Sequence, residues 1–112
     1  MHTSKFVVFT NPGPGREKEY NDWYTNVHLP EVLKIPGIVG AQRFRLSAAQ
    51  NPGTATPHRY LAIYDCDSRR LDEVIQTLKR KAEAAELTLS DALAEGSVGY
   101  FFDSITELVT LK

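Results

Sequence analysis

Residues 19–46 read EYNDWYTNVHLPEVLKIPGIVGAQRFRL, a helix, a turn and a strand in succession. Tyr20, Trp23, Tyr24 and Val27 recur at i, i+3, i+4 and i+7, which gives a helix one apolar face. The spacing predicts a helix over Arg16–Val27. Pro30 is expected to end it near His28, because proline disfavours helical geometry in the residue before it. Glu31–Lys34 adds a short turn, Pro36-Gly37 breaks the chain, and Ile38–Leu46 reads as a strand.

Upstream, Lys5–Thr10 is rich in Phe and Val and stops at Asn-Pro-Gly-Pro-Gly, so it reads as a strand and a turn. Its start has no small-residue cleavage site, which argues against a signal peptide. Downstream, Ser47–Pro57 is small and polar and reads as a loop, and His58–Cys66 as a third strand. Asp67 or Ser68 caps a long helix to about Glu86, with Leu71, Val74, Ile75, Leu78, Ala82 and Ala85 as its stripe. Thr88–Ala94 reads as a short extra helix, and Val98 to about Val109 as a last strand, bulged near Asp103-Ser104.

The order β-α-β-β-α-β predicts a ferredoxin-like α+β fold, an antiparallel four-stranded sheet with both helices on one face, in a single domain over residues 1–112. A solvated second face would give strands that alternate apolar and polar. These do not. Tyr60, Ala62 and Tyr64 oppose Leu61 and Ile63; Val7 and Phe9 oppose Phe6 and Val8; Tyr100 and Phe102 oppose Phe101. Both faces are apolar, and a second copy of the sheet is the expected cover, giving a two-fold homodimer.

Composition narrows the function. Thirteen basic residues against fourteen acidic ones leave a net charge of -1, without the basic excess of a nucleic-acid binder. No apolar run approaches the ~20 residues of a membrane span. Cys66 is the only cysteine, so an internal disulfide is excluded and a reducing cytoplasm is the expected location. The Asn11–Arg16 turn lacks the phosphate-loop lysine and its prolines remove backbone donors. Neither a dinucleotide fingerprint nor a nucleophile elbow is present.

The run EYNDWYTNVHLPEV followed by PGIVGAQRFRL resembles the EthD-like families of the dimeric α+β barrel superfamily, closest to their short bacterial members. The match covers Asn11–Leu46. The resemblance implies a dimeric α+β barrel with a pocket between the sheet and the helices, whose wall carries Trp23 and His28. Relatives of that architecture include cofactor-free monooxygenases, polyketide cyclases, lactone isomerases and haem-degrading enzymes, and proteins without known activity.

The candidate catalytic residues are His28, Tyr24 and Asn21, aligned at i, i+3 and i+7 of one helical face. Histidine is best poised to move protons near neutral pH, and Tyr24 can orient it or donate to a substrate oxygen. Alternatively, His28 caps the helix and holds the Leu29-Pro30 turn. Trp23 and Tyr20 are core residues or walls for a flat aromatic ligand. Glu31 can pair with His28, but two ligands make a thin metal site and His58 lies across a loop, so no metal is expected. Arg43 either binds a ligand carboxylate or phenolate or pairs with Glu107 or Asp103. His58 and Tyr60, two apart on a strand, are a candidate pair for enol chemistry or a half-buried edge. Cys66 stands beside acids that raise a thiol pKa, which argues against a nucleophile. The expected function is a cofactor-independent enzyme acting on an aromatic or polyketide-like compound, of monooxygenase, cyclase or isomerase type. The alternative is a small-molecule-binding protein without turnover.

Overall fold

A computed structural model describes residues 3–111, which hold four strands and three α-helices besides one π-helical and one 3-10 turn. They are β1 (Thr3–Thr10), α1 (Glu17–Trp23), α2 (Leu29–Leu33), β2 (Ile38–Arg45), β3 (Tyr60–Asp67), α3 (Leu71–Glu83) and β4 (Val98–Asp103). The sheet order is β2-β3-β1-β4 and every neighbouring pair is antiparallel, the ferredoxin-like arrangement.

Side chains alternate across this sheet with period two. Phe6, Val8, Tyr60, Ala62, Tyr64, Cys66 and Phe101 share the face that packs against Tyr20, Trp23, Tyr24, Val32 and Val74 of the helices. The other face presents Val7, Phe9, Phe44, Leu61, Ile63, Val98, Tyr100 and Phe102, with no helix over it. Tyr100 and Phe102 are 51% and 55% exposed there. Both faces are apolar, as the strand patterns require.

Proline does not stop the first helix. Tyr24–His28 forms a π-helical turn that joins α1 to α2 without a break. The Leu29 N–H donates to Tyr24 O, five residues back, and Trp23, Tyr24, His28 and Leu29 keep right-handed helical geometry. Pro30 sits in the first turn of α2, where a missing N–H costs least. A π turn widens the helix just where the proline ring would crowd the preceding turn. The helix expected over Arg16–Val27 therefore runs on to Leu33, and the turn expected over Glu31–Lys34 belongs largely to it.

Three other boundaries move. The expected helix at Thr88–Ala94 is a loop, tied down by a bridge between Pro12 and Leu93 and by Gly13 N–H donating to Ala92 O at 2.7 Å. The last strand ends at Asp103, after which Ser104–Leu111 has no regular structure, so the bulge near Asp103-Ser104 is a strand end. On α3 only Val74 and Thr77 are buried, with Ala82 and Ala85 exposed. The Asp67 side chain accepts from Arg69 N–H and caps the short 3-10 turn ahead of α3.

Candidate functional site

Arg43 organises the space between α1 and the sheet. It stands on β2 opposite Ala62, so its side chain points to the helix side. Its guanidinium carbon lies 4.5 Å from the ring centre of Tyr24, 5.3 Å from Tyr20 and 5.6 Å from Tyr60. Its two terminal nitrogens donate to Asn21 Oδ1 at 2.9 Å and Thr25 Oγ1 at 2.8 Å. Among the described residues no carboxylate pairs with it. Within one chain Arg43 does not pair with Asp103 or Glu107, because Arg43 faces the helices, Asp103 accepts from Ser4 Oγ at 2.6 Å, and Glu107 is exposed. The aromatic rings favour a cation by their quadrupoles, each contact worth about 0.5–2 kcal/mol. They cannot neutralise its charge.

A chain of hydrogen bonds continues from this cation. The Asn21 Nδ2 donates to Tyr60 OH at 3.3 Å, and that hydroxyl donates to the Glu17 carboxylate. The Tyr60 bond holds the Glu17 carboxyl below the usual carboxylate range, helped by Arg59 at 3.5 Å. Asn21, Thr25, Arg43, Phe44, Arg45 and Tyr60 line an open cleft of about 280 Å³. Sequence reasoning missed Glu17 and Thr25. In the sequence Glu17 is only a first-turn helix acid, and nothing there marks it as a partner of a tyrosine 43 residues away.

Tyr20 and Tyr24 form an aromatic wall behind Arg43, inward of the cleft. Both are buried, and burial pushes their phenol pKa values up, so both stay protonated. Tyr20 shares a hydrogen bond with Thr10, and Tyr64 donates to Tyr24 at 3.4 Å.

His28 lies on the other side of this wall. Its ring stacks on Trp23 at 4.9 Å and 25°, and meets Tyr24 edge-on at 5.0 Å. Trp23 and His28 are five residues apart, a spacing that the π turn brings into line and an α-helix does not. The structure thus brings Asn21 and Tyr24 to Arg43, while His28 reaches that cation only through the Tyr24 ring.

The His28 Nδ1 is buried and has no hydrogen-bond partner among the described residues. Burial lowers the His28 pKa, and the Glu31 charge opposes this only in part. Glu31 itself accepts from Thr88 N–H at 2.7 Å and Thr88 Oγ1 at 2.8 Å, so it fastens a loop and makes no hydrogen bond to His28. Trp23 Nε1 donates to Thr88 O at 3.0 Å and fastens the same loop.

The lowered pKa has a consequence for stability. A base with a depressed folded pKa binds more protons when unfolded. His28 therefore contributes stability above the unfolded value of about 6.5, and that contribution falls as pH drops from there toward the folded value. In urea titrations from about pH 8 down through the ordinary histidine range, His28→Gln is expected to flatten the wild-type decline. Equal declines in both proteins would place the titration elsewhere.

His58 and Tyr60 do not form a pair on one face. The strand begins only at Tyr60, which turns to the helices, while the His58 ring sits 5.8 Å from that of Phe9 on the open face and its Nε2 bonds Gly96 O at 2.8 Å. Cys66 is fully buried, and burial followed by the Asp65 charge raises its thiol pKa. Among the described residues, no group of three or more His, Cys, Asp and Glu side chains is placed to hold a metal, and no helix is long and apolar enough to cross a membrane.

No family model and no curated relative matches the chain. Solved structures do. An EthD family protein from Bacillus halodurans superposes with a TM-score of 0.60 at 16% identity, over 94% of this chain and 100% of that one. The heme-degrader MhuD from Mycobacterium tuberculosis, solved with two hemes bound in its active site, gives 0.65 at 17%, over 95% and 99%. The ActVA-Orf6 monooxygenase of Streptomyces coelicolor, solved with Nanaomycin D, gives 0.53 at 14%, over 98% and 93%. The chain shares the α+β fold of EthD family proteins and of these monooxygenase and heme-degrading structures.

Proposed function

We propose that this protein is a cofactor-independent enzyme acting on an aromatic or polyketide-like compound, in the cleft between α1 and the sheet. The observation that carries the reading is Arg43: a guanidinium held against three tyrosine rings, bonded to neutral partners, and open to a cleft. An acidic phenol or enol fits it, since its anion supplies the missing charge and its flat ring suits the aromatic wall. Monooxygenase, cyclase and isomerase chemistry on such compounds shares an early loss of a proton, which leaves this anion. Asn21 borders the cleft and is the polar partner of the ligand beside Arg43, while His28, the catalytic candidate of the sequence, stands behind the Tyr24 ring and takes no proton from a ligand in this cleft. Tyr20 backs Arg43 from the core, while Trp23 packs with His28 on the far side of Tyr24. The fold shared with a monooxygenase solved with Nanaomycin D supports a ligand of this kind.

The working unit in this proposal is a homodimer through the open sheet face. Val98, Tyr100, Phe102 and Phe44 are all more than a third exposed on it in a single chain. Soluble monomers seldom leave a contiguous apolar patch beyond about 300–600 Å².

A panel of hydroxyquinones, phenols and 1,3-diketones, titrated into labelled protein without added cofactor, tests the cleft. Binding is expected to shift the amides of Asn21, Thr25 and Tyr60, and Arg43→Met is expected to weaken it about tenfold or more. Mass spectrometry of the mixtures then separates turnover from binding. Product that forms with the wild type and is lost in Asn21→Ala supports the enzyme. Binding without product favours a small-molecule-binding protein. A panel that never shifts these amides, with an Arg43→Met protein that is merely less stable, would make Arg43 a packing residue and overturn the reading.

A further inference from the structure

Ser104–Leu111 follows β4 with no regular structure, yet its composition is that of a strand. Ile105, Thr106, Val109 and Thr110 are β-branched, the residues that suit a pleated surface. Ile105, Leu108, Val109 and Leu111 are 96%, 89%, 85% and 101% exposed, so their own chain buries none of them. Burial of such side chains stabilises by about 1.5–3 kcal/mol each, and a single chain leaves that gain unused.

The sheet has an open edge of matching kind. β2 and β4 are its outer strands. Leu46 N–H donates inward to Arg59 O, and inward bonds alternate along an antiparallel pair. Gln42 and Phe44 therefore also bond toward β3, and the N–H groups of Ala41, Arg43 and Arg45 point away from the sheet. β2 contains no proline, and an unpaired strand of this kind is a template for another chain.

We propose that Glu107–Leu111 of each copy adds a strand to the β2 edge of the other copy, an exchange that rests on the homodimer of the proposed function.

Reach favours the other copy. Two sheets apposed on their open faces about a two-fold axis along the strands set β4 of each copy over β2 of the other, because these are opposite edges of the sheet. Packed sheets stand about 10 Å apart, a gap that about three extended residues cross. Ser104–Thr106 spans it and leaves Glu107–Leu111 to pair, close to the usual strand length of about five or six residues. The chain's own β2 lies three strand spacings away, about 14 Å, and the path to it crosses the face that the second copy covers.

Charge selects β2 over β4. Glu107 is the one charged residue of Ser104–Leu111. β2 carries Arg43 and Arg45 and no acid, and neither arginine has an ion-pair partner among the described residues. Arg43 is held by Asn21 and Thr25, while Arg45 is exposed, so Glu107 falls to Arg45 and the cleft keeps its cation. β4 carries Asp103 and no base, and would repel Glu107.

The test reads contact between copies. A nitroxide is attached at Thr110→Cys, Cys66 being fully buried, and this protein is mixed with nitrogen-15-labelled wild type. The nitroxide is expected to broaden the Ala41, Arg43 and Arg45 amides of the labelled copy more strongly than those of β4. The same three amides are expected to exchange slowly with solvent. Leu108→Pro, which removes a strand donor, is expected to release them and to weaken the dimer about tenfold or more in sedimentation. Glu107→Lys is expected to weaken it about fivefold or more, and Arg45→Glu to restore it in the Glu107→Lys protein. Leu108 and Glu107 are exposed within one chain, so these variants keep the fold. Broadening centred on β4, or none at all, would overturn the exchange. So would a Leu108→Pro dimer as tight as wild type with the three amides still protected. Either result strikes the exchange and leaves a face-to-face dimer standing, whereas a monomeric wild type removes both.

Discussion

Gly37→Ala is expected to destabilise the fold by about 3 kcal/mol or more, from two independent causes. Gly37 has φ +98°, where an L side chain is strained, at a cost of about 1–2 kcal/mol. A Cβ there would also lie 2.6 Å from Val74 Cγ2 and 3.2 Å from Arg70 Cβ. Val74 is fully buried in the core, so it has nowhere to retreat, and overpacking of this kind costs about 1–3 kcal/mol. The close approach follows from topology. Gly37 O accepts from Asp67 N–H at 2.9 Å, which joins the start of β2 to the end of β3 just where α3 begins. Urea unfolding of the variant should show a lower midpoint with the slope unchanged. A double-mutant cycle with Val74→Ala separates the causes. The cavity left by alanine at position 74 relieves the clash but not the backbone strain, so part of the penalty should persist. A Gly37→Ala protein within about 0.5 kcal/mol of wild type would refute both causes.

That glycine shows where sequence reading succeeds and where it stops. Pro36-Gly37 is legible as a turn because its chemistry is local. Its contact with Val74 spans 37 residues of chain and leaves no local mark. The same division holds along the molecule. Strands β1 to β3 announce themselves by β-branched and aromatic residues, and fall within two residues of the expected bounds. The order of elements then leaves few topologies, so the sheet and its two apolar faces are legible too. Pro30 misleads, because a π turn removes the clash that normally makes proline a stop, and no residue pattern signals that turn. Thr88–Ala94 has helix-forming alanine and leucine, but its backbone spends its hydrogen bonds elsewhere: Ala94 N–H donates to Asn11 O at 2.9 Å. β4 ends at Asp103, and the next residue, Ser104, donates its N–H to Thr3 O.

The candidate site divides in the same way. Asn21, Tyr24 and Tyr20 are readable as one helix face, and the structure sets them around Arg43. What the sequence hides is that Arg43 has no acid partner among the described residues and that Tyr60 hands its hydrogen bond to Glu17. Both depend on which strand faces which helix. Sequence reasoning left Arg43 between a ligand anion and an acid partner, because arginine on a strand usually finds one. Here β2 turns it inward among tyrosines.

The pair of substitutions Tyr100→Glu and Phe102→Glu is expected to convert a dimer into a monomer. Both side chains lie on the open sheet face, opposite Val7 and Lys5 of β1, and both are more than half exposed in a single chain. Their rings stand 6.4 Å apart, and Tyr100 also meets Phe9, so they form a continuous aromatic surface and not scattered exposure. A stable interface buries about 800 Å² on each partner, and a sheet face of this size can supply that area. A carboxylate at position 100 has no cation among Val7, Phe9, Leu61 and Ile63, and one at position 102 faces Lys5, which is already paired with Asp65. Desolvating each costs several kcal/mol, so two on each partner should weaken association by about a thousandfold or more. The fold itself should hold within about 0.5 kcal/mol per substitution, because these positions make few contacts inside one chain. Sedimentation of both proteins at matched concentrations measures the first effect, and urea unfolding at low concentration measures the second. A wild-type protein that sediments as a monomer at about 100 µM would remove the dimer from the proposal. A double variant that remains dimeric would keep a dimer and move its interface off this face. Monomerisation with the fold intact would assign the uncovered face to a second copy, and leave the Arg43 cleft, on the opposite side of the sheet, as a site each chain builds for itself.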